Sequence, residues 1–382
     1  MAWRVQGDVS TDRRPSRRLH SAASGTVSAV ALGVALVVTL ASCEQSGPQL
    51  PPSASPSLCP PTPGVPRASP VPTEIVTKEV GSSPEASVSS IAVDASQGRV
   101  YAVELTPGFL SILDGETMRR VGGLPGLSAA EQVAVDPVRE TVFVAAAGGR
   151  IWAIDARTPR VLLTARLGPP VVEDVFDLEV DPRAERVYVL TSEGDLWVLD
   201  EGTLERLARV STRGLALALD QTRSRLYVSN RQRVLVVDTS TTQVVNTFPV
   251  GGTAAAVDPA TNTLYLVRPG NEVGVLEVVD ATTGDVVTSM RSGVWPMDVE
   301  VDPKRDRVYV IDQGALNIET VDLDAGLVWV VNTRSNRLVR TLAIGISPSQ
   351  AAFDCGMGAL YILDPNAATL SRVFPSSRVG FE

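Results

Sequence analysis

Val299-Glu300-Val301-Asp302-Pro303-Lys304-Arg305-Asp306-Arg307-Val308-Tyr309-Val310 reads as two short apolar strands on either side of a polar turn. Asp302-Pro303 opens that turn with a side-chain acceptor at its first position and a fixed φ at its second. Tyr309 follows seven residues after Asp302. The same offset recurs in Asp94/Tyr101, Asp136/Phe143, Asp181/Tyr188, Asp220/Tyr227, Asp258/Tyr265 and Asp354/Tyr361. Successive marker aspartates are 42, 45, 39, 38, 44 and 52 residues apart. A period near ~43 matches four-stranded propeller blades and is too long for leucine-rich repeats.

The repeats parse into strands. In the second they are expected at Gln132 to Val135, Thr141 to Ala145, Arg150 to Ile154 and Val161 to Ala165. The third strand of the fourth, Val234 to Val237, is apolar on both sides, as expected of a sheet covered on both faces by neighbouring sheets. The seventh repeat has no clear fourth strand after Leu370 to Val373. Ile75 to Gly81 has the frame of the outer strands Val245 to Gly251 and Val339 to Gly345, so it should complete the last blade. The expected fold is therefore all-β: a seven-bladed β-propeller of four-stranded blades, closed by its N-terminal strand.

The region outside the repeats supplies an address. Arg13, Arg14, Arg17 and Arg18 lead into an apolar run from Val27 to Leu40, too short to span a bilayer comfortably. Leu40-Ala41-Ser42-Cys43 resembles the lipobox of bacterial lipoproteins, which implies lipidation at Cys43 and attachment to the outer side of the cytoplasmic membrane. Ser16-Arg17-Arg18-Leu19 faintly resembles a twin-arginine signal, so the export route stays open. Residues 1–42 form the expected signal peptide. Residues 43–72 form a spacer in which 44–72 hold ten of the 27 prolines, a composition that cannot bury a core. The propeller occupies 73–382. Cys59 and Cys355 are the other two cysteines; an exported location permits their pairing, but nothing fixes their distance.

The repeats themselves resemble the YVTN β-propeller repeats of bacterial and archaeal exported proteins. The likeness rests on Asp181 to Val189, Asp302 to Val310, and Gly81 to Pro84 leading into Ile91 to Asp94. Departures are Thr141-Val142-Phe143, the loss of Pro after Asp94, Asp220 and Asp354, and a longer sixth repeat. The resemblance implies a binding or scaffolding surface and no particular reaction.

Charge and composition narrow the function. The formal charge is -9, and residues 1–42 carry five Arg against Asp8 and Asp12, which leaves the remainder near -12. Such a body repels phosphate backbones, so nucleic acid is not an expected partner. The one histidine is His20, inside the segment expected to be removed. Without it neither a Ser-His-Asp nor a Cys-His nucleophile can be built, and no Gly-rich phosphate loop or nucleophile elbow is present. No cofactor is implied. The seven marker aspartates each belong to a turn of their own blade and are expected to be structural, with Arg99, Arg186, Arg225 and Arg307 close across the turn from them.

Ligands of propellers sit at one end of the central channel. The loops entering the innermost strands present Glu85, Glu131, Glu173, Asp174, Arg213, Trp295, Asp298 and Gln350 there, and the loops joining second to third strands add Glu193, Arg231, Arg268 and Asp312. Trp295 is suited either to stack on a sugar or peptide or to pack beside Pro296. Trp152, Trp197 and Trp329 lie in third strands and are expected to pack between blades. The insertion near Gly314 to Gly326 carries Glu319, Asp322 and Asp324, only a fragment of a calcium loop. The expected function is binding or scaffolding of an envelope protein, peptide or cell-wall glycan; the alternative is a His-independent, cation-assisted, lactonase-like hydrolase.

Overall fold

In the computed structural model, residues 75–168, 174–270, 273–314, 316–317, 322–323, 326–345 and 347–374 are described. Seven four-stranded antiparallel sheets follow one another along the chain. Their innermost strands are Ser87–Asp94, Ala130–Asp136, Val175–Asp181, Ala216–Asp220, Ala254–Asp258, Pro296–Asp302 and Gln350–Asp354, which define blades 1 to 7. Each innermost strand touches those of both neighbouring blades, and the first touches the last. The ring is closed.

Closure is made by the strand Ile75–Glu79. It pairs antiparallel with Thr369–Val373, from Ile75 opposite Val373 to Glu79 opposite Thr369, as the outermost strand of blade 7. Val80 N–H continues the ladder to Ala368 O at 3.0 Å, and Thr77 and Ser371 share a hydroxyl hydrogen bond of 2.7 Å. The second repeat forms Ala130–Asp136, Thr141–Ala146, Arg150–Asp155 and Arg160–Arg166, within two residues of the expected limits. In blade 6 the insertion is a short hairpin that pairs Leu316–Asn317 with Asp322–Leu323; Glu319 and Asp324 lie outside the described residues.

Seven apolar clusters fill the seven seams between blades. Trp152 and Trp197 belong to two of them, and Trp329 packs against a third. The marker tyrosines are all buried, and the hydroxyls of three of them reach into the next blade. Tyr361 donates to Gly115 O at 2.8 Å, Tyr227 to Ala281 O at 3.3 Å and Tyr188 to Thr239 O at 3.4 Å. Each acceptor is the first residue after the third strand of the next blade. Phe143 has no hydroxyl, and the corresponding residue of blade 3 is the buried Glu201, reached at 2.9 Å by Arg139 of blade 2.

The marker aspartates hold their turns. Asp181 Oδ1 accepts the N–H groups of Arg183 and Ala184 at 3.0 and 3.2 Å, and Asp354 Oδ1 those of Gly356 and Met357 at 2.8 and 2.9 Å. The arginines after the turn do not pair with them. Arg99 reaches Asp114 at 2.9 Å and Arg186 reaches Asp200 at 3.7 Å, and Arg225 pairs with Asp238, all at the ends of third strands. Each arginine stands opposite its marker aspartate on one side and that third-strand residue on the other, and its guanidinium goes to the third strand. Opposite Arg307 stands Asn332, and the arginine bonds instead to Asp306 O at 3.0 Å.

Candidate functional site at the channel mouth

Antiparallel order places the loops entering the innermost strands and the loops joining second to third strands at one end of the channel, with the aspartate turns at the other. The wall between them is laced by polar side chains that cross from one innermost strand to the next. Ser90 Oγ accepts Val133 N–H at 3.3 Å, Asp177 Oδ2 accepts Leu217 N–H at 2.7 Å, and Asp298 Oδ2 accepts Ala351 N–H at 2.8 Å. Gln350 Oε1 accepts Ile91 N–H at 2.8 Å, across the junction between last and first blades. Asp298 and Gln350, expected at the mouth, are therefore fully buried members of the wall. Ser90 and Asp177 belong to the same device. Its sequence signal, a polar residue four positions before the marker aspartate, is incomplete because blades 4 and 5 carry Ala216 and Ala254 there.

Glu131 plays a double part. Its carboxylate accepts Val175 N–H at 2.6 Å, yet it is only partly buried, and burial together with Asp174 moves its pKa up to about 7. Asp174 is half-buried; its carbonyl accepts Ser192 N–H at 2.8 Å and its N–H donates to Ser192 Oγ at 3.2 Å. Glu85 is exposed in the turn before the innermost strand of blade 1. Blades 1 to 3 thus bring acidic groups to this end.

Blade 4 brings basic ones. Arg213 is exposed at φ 54°, and its N–H donates to Gly194 O at 2.6 Å. Gly194, at φ 79°, has no room for a Cβ against the Arg213 backbone, so this pair of turns is locked. Arg231 and Arg233 are exposed in the next loop, where Asn230 Oδ1 accepts the N–H groups of Gln232 and Arg233 at 2.9 and 3.0 Å. A backbone bond of 2.7 Å from Leu215 N–H to Ser229 O ties the two loops together. Arg233 escaped the sequence reading although Arg231-Gln232-Arg233 announces it.

The remaining expected residues divide. Trp295 is half-buried, and Asp312 is fully committed to its loop: one carboxylate oxygen takes the N–H groups of Val294, Trp295 and Gly314 at 3.2, 2.8 and 3.3 Å. Arg268 is paired with Glu277 at 3.0 Å, and Glu193 is exposed. Glu173 and Cys43 lie outside the described residues.

Two channel residues had no forecast. Glu179 of blade 3 and Glu300 of blade 6 stand two positions before their marker aspartates, where the other five blades carry Ala92, Ala134, Ala218, Ala256 and Ala352. Both are buried, and in each Oε1 finds no hydrogen-bond partner among the described residues. Burial first, then the like charges of Asp177 on Glu179 and of Asp298 on Glu300, push both pKa values well above the carboxylate range.

Among curated proteins none matches the chain. A comparison with protein families does: residues 92–341, from the innermost strand of blade 1 to the outermost of blade 6, match the family described as outer membrane protein assembly factor BamB. The resemblance to YVTN repeats rests on Asp181 to Val189, Asp302 to Val310 and Gly81 to Pro84 leading into Ile91 to Asp94, and the family comparison does not return it. With well over half of its length matched, this seven-bladed propeller belongs to the outer membrane protein assembly factor BamB family.

Proposed function

We propose that this protein is a lipid-anchored binding module of the cell envelope, which captures an extended segment of a partner protein across the channel mouth. Cys43 carries the lipid, and the proline-rich residues 44–72 hold the propeller clear of the membrane. The observation that carries the reading is the division of the mouth: Glu85, Glu131 and Asp174 on blades 1 to 3, Arg213 and Arg231 with Arg233 on blade 4, and the half-buried Trp295 on blade 6. Opposite charges on one surface select a partner by pattern rather than by net charge, and the half-buried Trp295 offers an anchor. The matched family is described as an assembly factor, which accords with holding another protein. In this reading the chain binds and does not catalyse, since its only histidine precedes Cys43.

The test is crosslinking on intact cells, with the captured protein identified by mass spectrometry. Substituting Arg213, Arg231 and Trp295 together by Ala is expected to abolish capture while leaving thermal unfolding unchanged. Undiminished capture would discard the mouth as the site. Cys43→Ser is expected to move the protein from the membrane to the soluble fraction; retention on the membrane would discard the anchor without touching the mouth.

A further inference from the structure

Blade 6 departs from a rule that blades 1 to 5 keep at the aspartate-turn end. Their third strands end in Asp114, Asp155, Asp200, Asp238 and Asp280, whereas that of blade 6 ends in Asn332. In blade 4 the two oxygens of this carboxylate have separate tasks. Asp238 Oδ1 accepts the N–H groups of Ser240 and Thr241, both at 3.0 Å, and Oδ2 takes the guanidinium of Arg225. Asn332 performs only the first task. Its Oδ1 accepts the N–H groups of Arg334 and Ser335 at 3.1 and 2.9 Å, which leaves Nδ2, a donor, in the place of the second oxygen. Arg307 nevertheless stands opposite Asn332, as Arg225 stands opposite Asp238.

Blade 6 is therefore short of a carboxylate. Arg307 is only 8% exposed and donates to Asp306 O at 3.0 Å, but among the described residues it has no acidic partner. The nearby acids are committed, Asp302 to Arg305 at 2.9 Å and Asp306 to Arg334 at 3.0 Å. The exposed Arg337 stands opposite Asn332 on the outermost strand, and the half-buried Arg340 stands two rows further on the same face. Neither has an ion pair among the described residues. Burial and then Asp302 raise the pKa of the Tyr309 hydroxyl, and Arg305, Arg307 and Arg340 pull it back, so these guanidiniums gather on the side of blade 6 that faces blade 7. That hydroxyl is sealed and takes no part in binding. Asn332 Nδ2 and the remaining donors of Arg307 are unpaired among the described residues without being sealed. A guanidinium so far withdrawn from water is costly without a counter-ion.

We propose that this face of blade 6 is a second binding site, which takes a carboxylate presented by an acidic segment of a partner protein. Asn332 Nδ2 and Arg307 receive it, with Arg337 and Arg340 at its sides. The chemistry is that of Asp114, Asp200 and Asp238, which hold Arg99, Arg186 and Arg225 at the same place in their own blades. In blade 6 it comes from outside. The guanidinium fork matches a carboxylate in shape as well as charge. In a chain of formal charge -9, this unbalanced group of arginines is a local exception that selects an acidic partner. The site lies at the end of the channel opposite the mouth and stands or falls independently of it.

The probe is acetyl-Gly-Asp-Glu-Asp-Gly-amide, titrated calorimetrically into the full-length protein beside its neutral Asn-Gln-Asn counterpart. The acidic peptide is expected to bind at least about tenfold more tightly, a difference of about 1.4 kcal/mol. Asn332→Asp supplies the carboxylate from within, using the residue that five blades already carry there. It is expected to abolish binding at an unchanged or higher melting temperature. Arg337→Gln with Arg340→Gln is expected to weaken binding while leaving the fold intact. Absence of binding, equal affinity for the two peptides, or binding that survives Asn332→Asp would overturn the proposal. Binding that survives Asn332→Asp but is lost when Arg213 and Arg231 are replaced by Ala would place the acidic peptide at the mouth instead.

Discussion

Tyr361 carries one donor, and that donor decides why the marker position is tyrosine rather than phenylalanine. Its ring fills the seam between blades 7 and 1, while its hydroxyl reaches Gly115 O at 2.8 Å across that seam. Tyr361→Phe keeps the ring and leaves the Gly115 carbonyl with Arg372 as its remaining side-chain donor. The expected loss is about 1 kcal/mol, the net worth of one buried neutral hydrogen bond, measured by denaturant unfolding at constant slope. Tyr309 is the built-in control. Its hydroxyl is buried with no partner among the described residues, so Tyr309→Phe is expected to be neutral or stabilising. Equal losses in the two variants would show that the ring, not the hydroxyl, is what the position requires. The aspartate and the offset were legible because all seven blades repeat them, and the tyrosine because six do. The acceptor was not, since it lies in the next blade and its side chain varies freely among Gly115, Thr239 and Ala281.

At the scale of elements, the strand Ile75–Glu79 joins the two ends of the folded chain, and its place was legible from its likeness to other outer strands. Its consequences are long-range: Val80, at its end, is 2% exposed within the cluster between blades 7 and 1. Without this strand blade 7 would offer an unpaired edge to solvent and to other chains. A chain starting at Thr73 is therefore expected to melt like the full-length protein, whereas one starting at Gly81 is expected to melt lower and to associate. Val80→Asp should reproduce the loss within the intact chain, by about 3 kcal/mol or more, because it buries an unpaired charge. Calorimetry and sedimentation read both effects, and a Gly81 start that behaves as the full chain would deny the closure. Channel-facing residues were less legible. Asp298 and Gln350 look like mouth residues along one strand, and only the neighbouring innermost strand, 53 and 259 residues away in the chain, reveals the backbone N–H each accepts.

For the whole molecule, the channel should make stability depend on pH in an uncommon direction. Burial and the flanking carboxylates push the folded pKa values of Glu179 and Glu300 well above the ordinary carboxylate range. A raised folded pKa contributes stability that is complete below the unfolded pKa and is lost as pH rises through the folded one. These two groups therefore favour the ring at mildly acidic pH and weaken it as pH climbs above about 4.5. The half-buried Asp114, Asp238 and Asp280 act oppositely. Hydrogen bonds at the turns, from Thr117 and Thr282 above all for the first and last, hold them below their usual value, so their contribution disappears toward stronger acid. The protein is expected to be most stable between these limits, on the acid side of neutrality. Glu179→Gln with Glu300→Gln keeps the shape, removes the ionisation and should flatten the alkaline decline, raising the melting temperature at pH 8 more than at pH 5. The marker aspartates cannot produce that difference, because they are the same in both proteins. If wild type and double variant lost stability in parallel from pH 5 to pH 8, the two carboxyls would have to ionise at no cost, which two buried oxygens lacking donors, beside Asp177 and Asp298 of like charge, do not allow.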